Sequence, residues 1–303
     1  MYNMKIDKQN GNVAFSEEDH IYWNVNDDEK YISVTTLIHQ FTQPFDKDFW
    51  SAYKTLEKLI PKENWNIEKK SLLNSKKFDK SILDVYDITE LDFNKTQQEI
   101  LDEWDRKNKE SCERGTKIHE EIENSFYKKP DNISLKKFGL GGKFECKKDY
   151  TELDLEYGVY PEYLIYRESD DGILRIAGQV DLIIKSGNEI TIVDHKTNEK
   201  IDKKSGFNTT TRSNAKMKYP LNNLMDCNFY HYTLQLSTYA WMLQKINPEF
   251  IIKDLIINHY DHNGNNILYH CDYLKDEVER MLYFYKKQII LDKQKEKRKR
   301  IEY

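Results

Sequence analysis

The sequence predicts an α/β or α+β fold, with a hairpin and helices ahead of its core. Three observations carry this. Helical periodicity dominates as far as Phe126, the apolar pattern turns extended from Tyr160 and describes a three-strand meander, and a helix, a strand pair and a long helix follow. At 303 residues the chain is long enough for one large domain or two of roughly 100–200 residues each. It shows no internal repeat and no Pro/Gly/Ser linker, so the pieces are expected to form one body.

Taken in order, His20 to Val25 alternates, Asn26-Asp27-Asp28 turns, and Lys30 to Val34 resumes, which reads as a hairpin. Thr35 or Thr36 then caps a helix running through Phe41, and a second helical stretch from Phe49 to Ile60 is stopped by Pro61. The longest helical run spans Gln97 to Phe126, with Ile100, Leu101, Trp104, Ile118, Ile122 and Phe126 apolar. Gly115-Thr116 reads as the end of one helix and the cap of the next. In the meander, Leu164-Ile165-Tyr166 turns at Ser169 to Gly172, Leu174 to Ile184 turns at Ser186-Gly187-Asn188, and Ile190 to Val193 closes it. A helix from about Tyr230 to Lys245 follows, with Leu234, Leu236, Tyr239, Ala240 and Leu243 as core candidates. A strand pair then turns at Asn263-Gly264-Asn265, and a helix from Asp276 runs into the Lys293 to Arg300 charge cluster. The expected organisation is a hairpin and helical region over 1–114, a core over 115–250, and strands and a helix over 251–303 that complete the same domain.

The 47 basic and 52 acidic residues give a formal net charge of −5, so the overall balance does not announce a nucleic-acid binder, which often carries a basic excess. The 38 % hydrophobic and 33 % charged shares are those of a soluble protein, and 13 % aromatic residues argue against a disordered chain. No stretch approaches the roughly 20 apolar residues of a membrane span. Met1 to Asn12 lacks the apolar run of a secretory signal. Cys112, Cys146, Cys227 and Cys271 are far apart and form no C-x-x-C pair, which points to free thiols in a reducing compartment, the cytoplasm.

The chemistry concentrates in Gly178-Gln179-Val180-Asp181 and, across one hairpin, Asp194-His195-Lys196-Thr197. Side chains two apart on a strand share a face, so Asp194 and Lys196 project together, and the hairpin brings Asp181 alongside. Two carboxylates are hard oxygen ligands of the kind Mg²⁺ or Mn²⁺ takes, and a lysine beside them would stabilise charge on a scissile phosphate or orient water. The same three residues also fit a surface salt-bridge cluster worth little. Against that, each acidic residue ends an apolar run: Ile183 and Ile184 lie behind Asp181, and Ile190, Ile192 and Val193 precede Asp194.

These residues resemble the PD-(D/E)xK nuclease superfamily, and within it the RecB-like branch that includes phage exonucleases and the mitochondrial genome maintenance exonuclease. Three blocks match in order: Gly115 to Glu123 resembles the family's helix block, Gly178 to Asp181 with Asp194 to Thr197 its catalytic core, and Gln235-Leu236-Ser237-Thr238-Tyr239 its Q-x-x-x-Y helix. Ser33 to Thr36 with Pro44-Phe45-Asp46 resembles the N-terminal segment of phage members. One departure is that Asp181 follows Gln179-Val180 instead of proline. The resemblance implies a restriction-endonuclease-like core, with His119, Asp181 and Asp194 as metal ligands, a main-chain carbonyl of Val193 or His195 completing the shell, and Lys196 as the catalytic lysine. It further implies that Gln235 and Tyr239 lie beside the site, touching nucleic acid or the carboxylates. Glu123, one turn beyond His119, either orients its ring or is a solvated carboxylate. Glu162 resembles an acidic residue that lies close behind the ligands or binds a second metal, and it equally fits a lysine ion pair.

Between Lys196 and Tyr219 lie seven basic residues, including Lys200, Lys203, Lys204 and Arg212, against Glu199 and Asp202. This segment reads as a mobile loop that clamps a phosphate backbone, or as an ordinary solvated loop. His259, His262 and His270 fit either a zinc site or scattered surface histidines, and Gly139 to Lys143 lacks the pattern of a phosphate loop. The expected activity is a Mg²⁺- or Mn²⁺-dependent exonuclease acting on DNA ends or single strands. A structure-specific endonuclease or resolvase shares every catalytic residue, and a non-catalytic DNA-binding module of the same fold is a third reading. A recombination or replication protein is the partner the resemblance suggests, with a bacterial or virus-encoded origin.

Overall fold

Extended runs of alternating and fully apolar residues build the main sheet. The computed structural model describes residues 5–147, 155–208, 213–261 and 265–301. Two hairpins open it: β1 (Lys8–Asn10) with β2 (Val13–Ser16), and β3 (Ile21–Asn24) with β4 (Lys30–Ser33). Five helices follow: α1 (Val34–His39), α2 (Lys47–Leu59), α3 (Lys62–Ser75), α4 (Ser81–Val85) and α5 (Glu90–Tyr127). Then come β5 (Gly158–Glu168), β6 (Arg175–Ser186), β7 (Glu189–Lys196), the short pair β8 (Phe207–Asn208) and β9 (Ser213–Asn214), α6 (Asn228–Ile246), β10 (Ile251–Tyr260), β11 (Asn266–His270) and α7 (Lys275–Ile301).

The chain divides into two units. One comprises Met1–Thr42, Lys117–Ser205 and Lys216–Tyr303, and the other Gln43–Thr116 and Gly206–Ala215. The first holds a mixed sheet in the order β1-β2-β3-β4-β6-β7-β10-β11, with β5 also paired to β6. Most pairings are antiparallel, while β4 lies parallel to β6 and β10 parallel to β7. This mixed sheet flanked by helices is a restriction-endonuclease-like arrangement. The N-terminal hairpin, expected to share a region with the helices up to 114, instead joins the core sheet, because Ile32 and Ser33 pair with Ile176 and Ala177.

Both faces of this sheet are covered, as period-2 alternation requires when both sides are apolar. Ile183, Ile192, Leu255 and Ile257 pack with Leu234, Leu236 and Leu243 of α6 and with Val278 and Met281 of α7. Their strand neighbours Leu182, Ile184, Val193 and Ile256 pack in a second cluster with Phe126, Phe138 and Phe144. The other unit has its own core of Phe49, Tyr53, Leu56, Trp65, Leu72, Leu83 and Phe93.

Two local expectations are revised. The cap of α1 is Ser33, whose Oγ accepts from Thr36 N at 3.0 Å, and Thr35 and Thr36 lie inside the helix. Gly115-Thr116 does not break the helical run, and α5 is continuous over 38 residues. A single interior glycine costs only about 1 kcal/mol relative to alanine. The flanking i,i+4 ion pairs Arg106–Glu110, Lys107–Glu103, Lys109–Glu113 and Lys117–Glu121 favour continuation. The proposed turn at Asn263-Gly264 and His262 lie outside the described residues.

Candidate active site

A fork in the sheet positions the site. On one edge of β6 the register with β4 ends at Ala177 and that with β7 begins at Leu182, so Gly178 to Asp181 lie where two strands part. On the opposite edge β5 pairs with β6 on either side of Glu162, which stands across from Asp181 with φ of 50°. A left-handed backbone is uncommon for glutamate and costs of order 1–3 kcal/mol, a form of strain concentrated at ligand-holding sites. Gly178 leaves room for the ring of Tyr239: a methyl added there would lie 2.7 Å from Tyr239 Cε1 and 2.9 Å from its hydroxyl.

Two carboxylate groupings meet at the fork. Asp194, 1 % exposed at the end of β7, is paired with Lys196 two residues on, whose Nζ donates to Oδ1 at 2.9 Å and lies 2.7 Å from Oδ2. Gln235 of α6 donates from Nε2 to Asp194 Oδ1 at 3.2 Å and reaches the Tyr239 hydroxyl at 3.4 Å. Asp194 Oδ2 is buried and receives no directed hydrogen bond. Asp181 Oδ2 accepts the main-chain N–H of His195 at 2.6 Å, which ties β6 to the end of β7.

His119 reaches the fork from α5. Its Nδ1 lies 3.6 Å from Glu162 Oε1 and 3.7 Å from Asp181 Oδ2, and its Nε2 lies 3.1 Å from the carbonyl of His195. Donation from Nε2 to that carbonyl leaves Nδ1 facing the carboxylates. His119, Glu162 and Asp181 each offer a ligand atom, and the three atoms lie within 4.8 Å of one another. Gln179 Nε2 donates to the other Glu162 oxygen and holds that carboxylate in place.

The electrostatics are those of a negative site short of positive charge. Burial raises the carboxyl pKa of Asp181 and pushes that of Asp194 up to about 6, against the pull of His119 on the first and Lys196 on the second. Burial alone would lower the His119 imidazole, but Asp181 and Glu162 hold it up at about 9. The same balance applies to Lys196, where burial is outweighed by Asp194 and Asp181 and the ammonium is held above its ordinary value. Imidazole with several carboxylates is a donor set for a divalent metal cation, and His119, Glu162 and Asp181 fit one.

Several expected residues take other places. The carbonyl at the His119 ring is that of His195, while Val193 is fully buried and pairs with Leu182. Glu123 accepts from the Tyr127 hydroxyl at 3.0 Å and lies 4.0 Å from Lys8, while the groups at the His119 ring are Glu162, Asp181 and the His195 carbonyl. The first part of the segment after β7 is hydrogen-bonded to the start of α6. Asn228 accepts from Asp202 N at 2.8 Å and donates to the Lys200 carbonyl at 2.9 Å, and Lys203 Nζ lies over the rings of Phe229 and Tyr269. Lys200 pairs with Asp202 at 3.1 Å and Lys204 is exposed. Arg212 lies outside the described residues. His259 Nε2 donates to the Asn198 carbonyl at 2.7 Å, and His270 Nδ1 pairs with Asp254, so these two histidines do not converge. Sequence reasoning placed Gly178 in the motif without its role beside Tyr239, whose signal was a glycine inside a strand, and missed Asn228, which stands at the first position of α6.

A family model of the PD-(D/E)XK nuclease superfamily matches residues 36–255. No curated protein gives a match. Among solved structures, the protein SSO0001 is similar at 20 % identity and a TM-score of 0.27, over 44 % of this chain and 50 % of its own. A candidate exonuclease from Eubacterium rectale is similar at 11 % identity and a TM-score of 0.31, over 86 % of this chain and 80 % of its own. The chain thus spans about half the length of the first of these. No helix of the described residues is long and apolar enough to cross a membrane.

Proposed function

The chain belongs to the PD-(D/E)XK nuclease superfamily, and from that premise we propose that it is a Mg²⁺- or Mn²⁺-dependent DNA exonuclease that hydrolyses phosphodiester bonds at DNA ends or in single strands. The observation that carries the reading is the convergence of His119, Glu162, Asp181, Asp194 and Lys196 at one fork of the sheet. His119, Glu162 and Asp181, with Asp194 beside them, would hold the cation. A cation held there supplies Lewis-acid polarisation of the phosphoryl group and acidifies water.

The protein's own groups account for the rest. Lys196, charged and held by Asp194, offsets negative charge developing on the phosphate. Gln235 fixes the Asp194 carboxylate, and the His195 N–H fixes that of Asp181, so neither has to reorganise when substrate arrives. Lys200, Lys203 and Lys204 continue the chain beyond Lys196 and supply cationic contacts for the DNA backbone. The helix block at Gly115 to Glu123 and the Gln235/Tyr239 pair on α6 support placement in the RecB-like branch. The free cysteines accord with a reducing compartment such as the cytoplasm, and the resemblance to phage exonucleases suggests a bacterial or virus-encoded origin and a recombination or replication protein as partner.

The test is incubation of the protein with end-labelled linear duplex, circular duplex and single-stranded DNA in Mg²⁺, Mn²⁺ or chelator. Metal-dependent loss of linear and single-stranded DNA with circular duplex spared is expected. Cleavage of circular duplex would instead make it an endonuclease. Activity that persists in chelator, or after Asp194→Ala or Lys196→Ala, removes the proposed mechanism.

A further inference from the structure

The ion pair at the fork is gripped by one helix face. Gln235 donates to Asp194, and Tyr232, three residues earlier on α6 and so on the same face, places its ring 4.7 Å from Lys196 Nζ. That ring is itself fixed, because the Tyr232 hydroxyl donates to Asn198 Oδ1 at 2.7 Å. Asn198 lies two residues beyond Lys196, and its carbonyl is met by His259 Nε2 at 2.7 Å from the neighbouring strand β10. The ammonium therefore sits between the Asp194 carboxylate and an aromatic face whose position is set by the strand end it belongs to.

We propose that Tyr232 is a positioning residue for Lys196: its ring face holds the ammonium by a cation–π contact, which keeps the flexible lysine stem in one rotamer with an N–H free to meet the phosphate. This rests on the reading of Lys196 as the group that faces the phosphate. The physical case is that Asp194 alone fixes only one side of a three-donor group carried on four methylenes, whereas an aromatic face attracts a cation without using up an N–H on a competing acceptor. The hydroxyl has a separate task, to hold the ring against Asn198.

The test uses the metal-free protein first. With selectively ¹³C-labelled lysine, the Lys196 ε-methylene resonance, assigned by its loss in Lys196→Arg, is expected upfield of the other lysines because it lies over the ring. Tyr232→Phe keeps that shift and Tyr232→Leu abolishes it. A Lys196 resonance at the ordinary position in the unaltered protein overturns the proposal, whether or not any variant folds and whether or not the protein is a nuclease. In DNA cleavage, Tyr232→Leu is expected to lower kcat about tenfold with KM little changed, while Tyr232→Phe stays within about threefold. Equal losses in Phe and Leu would assign the effect to the hydroxyl and overturn the role of the ring.

Discussion

Replacing Gly178 by alanine tests the packing that frames the site, independently of any activity. The added methyl would lie 2.7 Å from Tyr239 Cε1, 2.9 Å from its hydroxyl and 3.2 Å from Cζ. Carbon atoms are at ease at about 3.5–4.0 Å, so the ring must retreat by about 1 Å. It has little room to do so, because Tyr239 is 3 % exposed and packed in the main core with Leu236, Ala240 and Leu243. Overpacking of this kind costs about 1–3 kcal/mol. At about 2–4 °C per kcal/mol for a domain of 150–250 residues, the Tm should fall by about 2–12 °C. Gly178 has no left-handed backbone to protect, so the whole effect is steric. Urea titrations of Gly178→Ala, Tyr239→Leu and the double variant read it directly: removing the ring should relieve the clash, so the double variant should be more stable than the sum of the two losses predicts, by about 1 kcal/mol or more. Gly178→Ala as stable as the unaltered protein, or strict additivity, refutes the reasoning.

Further expectations concern the charges and the loop. In chelator, His119 with a folded pKa of about 9 against an ordinary 6.5 stabilises the fold fully below 6.5 and loses that contribution as the pH rises through 9. The stability gap between unaltered protein and His119→Asn should therefore be widest near pH 6 and close by about pH 10, and urea melts showing a gap that widens with pH would contradict this. Mn²⁺ at 100 times its Kd should stabilise the protein by about 2.7 kcal/mol in thermal melts. Asp181→Asn and Glu162→Gln should each lose most of that gain, and a full gain in Glu162→Gln would remove Glu162 from the ligand set. Asn228→Ala removes two hydrogen bonds to the segment after β7, at about 1 kcal/mol each, so tryptic cutting at Lys200, Lys203 and Lys204 should quicken about tenfold or more. Unchanged cutting would mean that Asn228 does not anchor the segment.

The meander was legible because its strands are apolar on both faces and punctuated by Ser-Asp-Asp-Gly and Ser-Gly-Asn, signals that depend only on nearest neighbours. The continuity of α5 was not, because a lone glycine reads as a stop while the ion pairs that carry the helix past it are spread over several turns. Asp181, Asp194 and Lys196 could be placed together from strand spacing, since a hairpin fixes its own register. Glu162 shows the limit: nothing local indicates a left-handed glutamate facing Asp181, and its partners His119 and Gln179 come from a distant helix and an adjacent strand. Tyr232 could not be singled out from the sequence, because its value depends on which face of α6 meets the end of β7.

The fork has a consequence for how the molecule is made. One of its prongs, β4, comes from the second hairpin, near the start of the chain, and the other, β7, from the middle of the chain, and β6 must receive both before Gly178 to Asp181 are framed. The Arg175–Asp27 pair beside the β4 junction joins residues 148 apart in sequence. Closures of such separation are entropically late and slow. A newly made chain would therefore carry every motif residue long before it carries a site, and DNA cleavage, once measured, would serve as a clock for the last step of folding.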